Sequence, residues 1–135
     1  MGTIVIETGE KLLYYVQSET QVRRYGVAVG AAGHAWKGSA VVGRKVAWPG
    51  WFPTDEMRAD APGIPHRIPP GADNPLGARA LYLFAGGKDT LYRIHGTSEP
   101  WTIGTEVSAG CIRMFNEDVI DLYARIKVGT RVTVR

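Results

Sequence analysis

Two short segments in the C-terminal half hold the residue types that nucleophilic catalysis needs. The first is His95-Gly96-Thr97. The second runs Ser108-Ala109-Gly110-Cys111-Ile112-Arg113-Met114-Phe115-Asn116, and Cys111 is the only cysteine of the chain. A thiolate is a strong nucleophile, and an imidazole within reach creates it by taking the thiol proton. Glycines at 96 and 110 let backbone come close to a bound molecule. Backbone N–H groups around Gly110 and Cys111 suit an oxyanion. A lone cysteine also has a plainer reading, as a small buried hydrophobe. Trp101 lies between the two segments, where it either walls a cleft or simply packs. Arg113, two residues beyond Cys111, offers a planar fork to a carboxylate.

These residues need elements to hold them. Thr3–Glu7 and Lys11–Val16 are β-branched and aromatic runs about a Thr8-Gly9-Glu10 turn, and read as a hairpin. Gln21–Val29, Ser39–Trp48, Arg79–Phe84, Thr90–Ile94 and Arg131–Arg135 read as further strands, with a turn at Gly86-Gly87. His95 therefore ends a strand. One helix is expected over 116–127: Asn116 as its N-cap, Glu117 and Asp118 in its first turn, Lys127 in its last. Val119, Ile120, Tyr123 and Ile126 would form its apolar stripe, and Gly129 its stop. Residues 49–78 hold seven of the eight prolines. They read as an ordered lid or groove wall anchored by Trp48, Trp51, Phe52 and Ile64, since a long loop in a compact domain is usually functional. The expectation is a mainly β, sandwich- or barrel-like fold with one main helix near the C-terminus, forming a single domain over 1–135.

Composition narrows the function. With 135 residues, 44% hydrophobic and 21% charged, the chain is an ordinary one-domain globular protein. No apolar run is long enough for a membrane helix, so no transmembrane segment is expected. The N-terminus lacks the basic and apolar regions of a signal peptide, so the chain reads as cytosolic or as a mature form without its leader. A net charge of +3, with basic residues scattered, argues against nucleic acid as partner. One cysteine rules out an intrachain disulfide. His34, His66, His95 and Cys111 show no metal-ligand spacing, so no metal site is expected.

Together the two segments resemble the YkuD-like L,D-transpeptidases, cysteine enzymes that remodel bacterial peptidoglycan. That family's motif is His-Gly-Thr, a variable stretch, then Ser-x-Gly-Cys-Ile-Arg-Met/Leu-x-Asn-x-Asp. Here it reads His95-Gly96-Thr97, then Ser108 through Asp118, with His and Cys sixteen positions apart as the family has them. Leu12–Tyr15 and Arg23–Gly30 resemble its opening hairpin, and Pro70–Leu81 its middle segment. The resemblance implies Cys111 as acyl-accepting nucleophile and His95 as its base, with the imidazole oriented by the Gly96 carbonyl. It also implies Arg113 beside the nucleophile, holding substrate. Ser108, Gly110 and Thr97 fall on the substrate-binding side of the same motif, with Trp101, while Asn116 and Asp118 would shape the helix.

The implied donor is a peptidoglycan tetrapeptide stem, cleaved behind its third residue. The acceptor would be another stem, a lipoprotein or outer-membrane protein amine, or water. No cofactor is required, and the periplasm or cell envelope is the implied location. Two departures stand out. Ala109 occupies a position where many members have His, leaving His95 as the base. Ala35–Ser39 replaces the family's usual Thr-Pro-x-Gly segment. The positive potential of Arg113 and of the following helix N-terminus favours a thiolate–imidazolium pair at rest. Two other readings remain: another cysteine hydrolase, or a non-catalytic β-rich module that binds cell-wall glycopeptide. Papain-like enzymes place Cys before His, and caspases space the pair more widely.

Overall fold

The computed structural model describes residues 2–30, 36–50, 58–59, 63, 65, 67–71, 74–107 and 111–135. Nine strands appear among them: β1 Thr3–Glu7, β2 Leu12–Val16, β3 Val22–Gly30, β4 Gly38–Ala47, β5 Arg79–Ala85, β6 Lys88–His95, β7 Glu106–Val107, β8 Ile112–Met114 and β9 Arg131–Val134. A 3-10 turn spans Pro100–Thr102, Arg58 and Ala59 are helical, and the helix α1 spans Asn116–Arg125. The strands run in the order β2-β1-β9-β4-β5-β6-β8-β3, and a β2–β3 pairing closes the ring. β7 hangs on the end of β3. The result is a mainly β, barrel-like sheet, as the sequence implied. Closure leaves these strands little free edge on which another chain could pair.

Alternation of apolar residues decides which side faces inward. Ile4 and Ile6 of β1, and Val132 and Val134 of β9, are buried, with their neighbours turned outward. Leu13, Val27, Val42, Leu81, Leu83, Ile94, Ile112 and Met114 complete the strand contribution to the core. α1 packs against β5 and β6 through Val119 and Leu122. The helix differs from expectation in three ways. It ends at Arg125, its N-cap is Phe115 with no side-chain cap bond, and Ile120 is 38% exposed while Leu122 takes the buried place. Asn116 does not cap because its side chain is engaged elsewhere.

Two irregularities shape the sheet near the catalytic candidates. Gly43 forms a bulge in β4 opposite β5, where a Cβ would lie 2.4 Å from the Phe84 ring. In β6 the register slips between Tyr82 and Phe84 of its partner. There Leu91 takes φ 69° and its N–H donates to Asp89 Oδ1 at 2.8 Å, while the Thr90 hydroxyl donates to the Leu83 carbonyl at 2.7 Å. Bulges bend a strand and re-aim the side chains beyond them. Beyond this one come Arg93 and His95.

The turn at Gly86-Gly87 has φ 59° and 77°, the left-handed pair that tight hairpins require. The described part of the proline-rich segment is ordered around Asn74, which is fully buried. Its amide donates to the carbonyls of Pro49, Ile68 and Pro69, and its Oδ1 accepts from Leu76 N–H. Trp48 is half exposed at 50%. The expected anchors Trp51, Phe52 and Ile64 lie outside the described residues, as do His34 and His66.

Candidate active site

The two segments meet because β6 and β8 are parallel neighbours. Ile94 pairs with Ile112, and His95 with Arg113. Carried one residue back, this register sets Cys111 beside Arg93. Adjacent strands lie about 4.8 Å apart, and alternate residues along one strand about 6.6 Å. The four side chains Arg93, His95, Cys111 and Arg113 thus occupy one small patch, while Ile94, Ile112 and Met114 turn into the core. Sixteen residues of separation in sequence become a diagonal across two strands.

His95 is 5% exposed. Its Nδ1 makes a very short contact to the Gly96 carbonyl oxygen. A carbonyl can only accept, so Nδ1 carries the proton and Nε2 is left with its lone pair free to take one. Burial pulls the imidazole pKa down to about 4, and the positive charges of Arg113 and Arg93 push the same way, against the Gly96 bond. Cys111 is half-buried. Burial raises its thiol above the usual range, while an Arg93 backbone N–H bond and the charges of Arg93 and Arg113 oppose the rise. Both shifts favour the neutral forms. Burial of both groups opposes the ion pair expected from the sequence, while the charges of Arg93 and Arg113 favour the thiolate. Cys111 also lines a cavity of only ≈ 10 Å³ with Trp36, Leu83 and Tyr92, and Trp36 stacks on Tyr92 at 5.8 Å between centroids.

The backbone after His95 is held by Asn116. Its Oδ1 accepts from Ala78 N–H and Thr97 N–H, both at 3.1 Å, and its Nδ2 donates to the Thr97 carbonyl at 3.0 Å. Gly77 and Gly96 pack against the same oxygen, where a Cβ would lie 2.3 Å and 2.1 Å from it respectively. Gly77 also needs its φ of 63°. Asn116 therefore staples the 77–78 turn to the 96–97 segment, and that staple aims the Gly96 carbonyl at the imidazole. Sequence reasoning placed Asn116 at the helix end and passed over Gly77, because no spacing rule connects residues 77, 96 and 116.

The other expected site residues divide. Thr97 is 2% exposed, and its hydroxyl accepts from Glu99 N–H at 2.8 Å, so it is spent inside a turn. Trp101 is 73% exposed on the 3-10 turn, so it is not a packing residue. Arg113 lies in the patch and meets Glu99 Oε1 at 3.3 Å. Arg93 is tied more firmly: its Nη1 and Nη2 donate to the two Asp89 oxygens at 2.6 and 3.1 Å, and its guanidinium lies 4.2 Å from the Tyr82 ring centroid. Ser108 and Gly110 lie outside the described residues.

Such a sheet, with a buried His and a lone Cys on adjacent parallel strands, defines a class that comparison with other proteins makes specific. The profile of the YkuD L,D-transpeptidase catalytic domain matches residues 1–134, and the chain belongs to that family. Probable L,D-transpeptidase YbiS of Escherichia coli (strain K12) is 41% identical over 138 residues, covering 96% of this chain and 43% of YbiS. The chain thus spans less than half of that relative. A Brucella melitensis crystal structure, described as a probable carnitine operon oxidoreductase, is 50% identical. It covers 96% of this chain and 83% of that one, with a TM-score of 0.66. An L,D-transpeptidase structure from Mycobacterium smegmatis has the same fold at 19% identity, with TM-score 0.67 over 98% of this chain and 58% of that one.

Proposed function

We propose that this chain is a cysteine L,D-transpeptidase that acts on peptidoglycan tetrapeptide stems through an acyl-enzyme on Cys111. The observation that carries the proposal is the contact of His95 Nδ1 with the Gly96 carbonyl oxygen. With Nδ1–H committed to the Gly96 carbonyl, Nε2 is the one lone pair of the ring, and it belongs to a neutral imidazole one strand from the thiol. Burial disfavours the imidazolium, so the ring is available to accept a proton as the thiol attacks.

In the first half-reaction the thiol proton moves to Nε2 as sulfur bonds to the carbonyl carbon of the stem's third residue, a diamino acid. Collapse breaks the bond to the terminal D-Ala nitrogen, which takes the proton from Nε2 and leaves as an amine. Backbone N–H groups at Cys111 and the residue before it would hold the oxyanion between these steps. Arg113 would bind a stem carboxylate. In the second half-reaction the acyl group passes to an amine of another stem, to a lipoprotein or outer-membrane protein lysine, or to water. A periplasmic or cell-envelope setting follows from that substrate. Among the described residues no helix is long and apolar enough to cross a membrane.

The test is incubation with disaccharide tetrapeptide, read by mass spectrometry. Loss of D-Ala together with crosslinked dimers or tripeptide product is expected. Absence of any D-Ala release by folded protein would overturn the proposal.

A further inference from the structure

The patch around Cys111 has an electrostatic problem that one of its described neighbours is placed to solve. Arg93 and Arg113 both bear on the sulfur and on the His95 ring. That positive potential suits a thiolate and a carboxylate-bearing donor. It repels the acceptor of a transpeptidation, which arrives in neutral solution as an ammonium. Among the described residues, Asp89 and Glu99 are the carboxylates paired to these arginines. Asp89 commits both oxygens to Arg93. Glu99 makes one contact of 3.3 Å, from Oε1 to Arg113, and its side chain is 48% exposed.

Glu99 is also pre-positioned. Its N–H donates to Thr97 Oγ1 at 2.8 Å, and its carbonyl accepts from Thr102 N–H at 3.0 Å and from the Thr102 hydroxyl at 2.8 Å. Thr97 in turn is clamped by Asn116, which also fixes the turn after His95. The carboxylate therefore stands on the same frame as the catalytic base, with capacity to spare and a path to solvent.

We propose that Glu99 is the docking residue for the acceptor ammonium, and that it sets how the acyl-enzyme divides between amine and water. The inference rests on the acyl-enzyme reading given above. The docked ammonium loses one proton to solvent. The resulting amine attacks the thioester carbonyl, so a C–N bond forms and the C–S bond breaks. The second proton passes through Nε2 of His95 to the departing sulfur, which restores the thiol. Water needs no such docking, so hydrolysis does not depend on Glu99 in this way.

The experiment measures the ratio of aminolysis to hydrolysis with a tetrapeptide donor near neutral pH. Two acceptors are used: the cationic amine of Nα-acetyl-lysinamide, and hydroxylamine, which is uncharged there. Because each ratio is internal to one protein, a change in acylation rate cancels. For Glu99→Gln, the ratio with the cationic acceptor is expected to fall about three- to tenfold, a range set by a partly screened charge contact. With hydroxylamine it should stay within about twofold. Glu99→Asp should recover part of the loss. An unchanged ratio with the cationic acceptor, or equal losses with both, would overturn the role of Glu99. If the wild-type protein releases no D-Ala at all, the acyl-enzyme reading itself has failed, a result visible before any ratio is taken.

Discussion

The two halves of the candidate dyad are held very differently. On the His95 side everything is fixed: the ring is buried, Nδ1 is bonded to Gly96, and Asn116 locks the following backbone to the 77–78 turn with three hydrogen bonds. Gly77 and Gly96 leave no room for a methyl group there. On the other side Cys111, the proposed nucleophile, immediately precedes a strand of only three residues, is half-buried, and takes a backbone bond from Arg93. A base that must keep one tautomer gains from rigidity. A nucleophile that must accommodate first a thiol, then a tetrahedral adduct, then a thioester gains from room to adjust. Catalytic tolerance and structural tolerance should therefore fall on opposite sides of the pair.

The largest effect belongs to the nucleophile. Cys111→Ser should leave the fold intact but lower kcat/KM for D-Ala release by at least about a thousandfold, since a serine hydroxyl beside a weak base is a far poorer nucleophile. Intact-mass measurement with a carbapenem should show a covalent adduct on wild type and none on the variant. Retained turnover in Cys111→Ser would mean that the sulfur does not react.

The acid limb of stability comes next and belongs to the base. The His95 pKa is depressed in the fold, to about 4 from an ordinary 6.5. The unfolded chain therefore binds the proton first, and stability falls as pH drops from about 6.5 towards 4 and is fully present above that window. The loss amounts to about 3 kcal/mol by pH 4. Denaturant unfolding across this range should show it in wild type, and His95→Gln should flatten it. The nucleophile side has its own signature. A thiol held above its usual range should be alkylated by iodoacetamide with a late, alkaline rise. An early rise, well below the free-thiol range, would restore the ion pair as the resting state.

Asn116→Ala probes the frame. It strands the N–H groups of Ala78 and Thr97, and an unsatisfied buried donor costs about 1–3 kcal/mol. We expect a loss of about 2 kcal/mol in unfolding free energy, accompanied by a drop in kcat because the Gly96 carbonyl is no longer aimed. A stable, fully active Asn116→Ala protein would show that the His95 side is not as firmly determined as its contacts indicate.

This asymmetry also separates what was legible in the sequence from what was not. The seven longer strands carry β-branched and aromatic runs bounded by turn residues, so they could be read locally. β8 and β7 could not, because at three and two residues they hold no periodicity and exist only through pairing with β6 and β3. His95 and Cys111 stood out by type and flanking glycines. Asn116 looked like an N-cap because it opens a helix, and the structure uses its amide across 38 residues to reach Ala78. Glu99 carried no signal, since nothing in sequence ties it to a residue fourteen positions away. Burial of the pair was equally hidden: positive potential can be guessed from nearby basic residues, whereas desolvation cannot.

The smallest effect expected is at Arg113, and it sharpens the comparison most finely. Arg93 and Arg113 flank the same sulfur, yet Arg93 is gripped by Asp89 and Tyr82, while among the described residues Arg113 meets Glu99 at 3.3 Å. Arg93 therefore behaves as part of the frame, and Arg113 as a group free to turn to a ligand. Arg113→Lys keeps the positive charge but loses the planar two-pronged donor that matches a carboxylate. If Arg113 acts only through its charge, the variant should behave as wild type. If it grips a stem carboxylate, kcat/KM should fall about fivefold, roughly one hydrogen bond's worth, with Arg113→Ala lower by a further several-fold. Iodoacetamide alkylation of Cys111 needs no carboxylate and should change by less than about twofold in Arg113→Lys, because the local charge is preserved. Loss of alkylation in step with turnover would instead place Arg113 among the groups that set the thiol itself, and would erase the distinction between the two arginines.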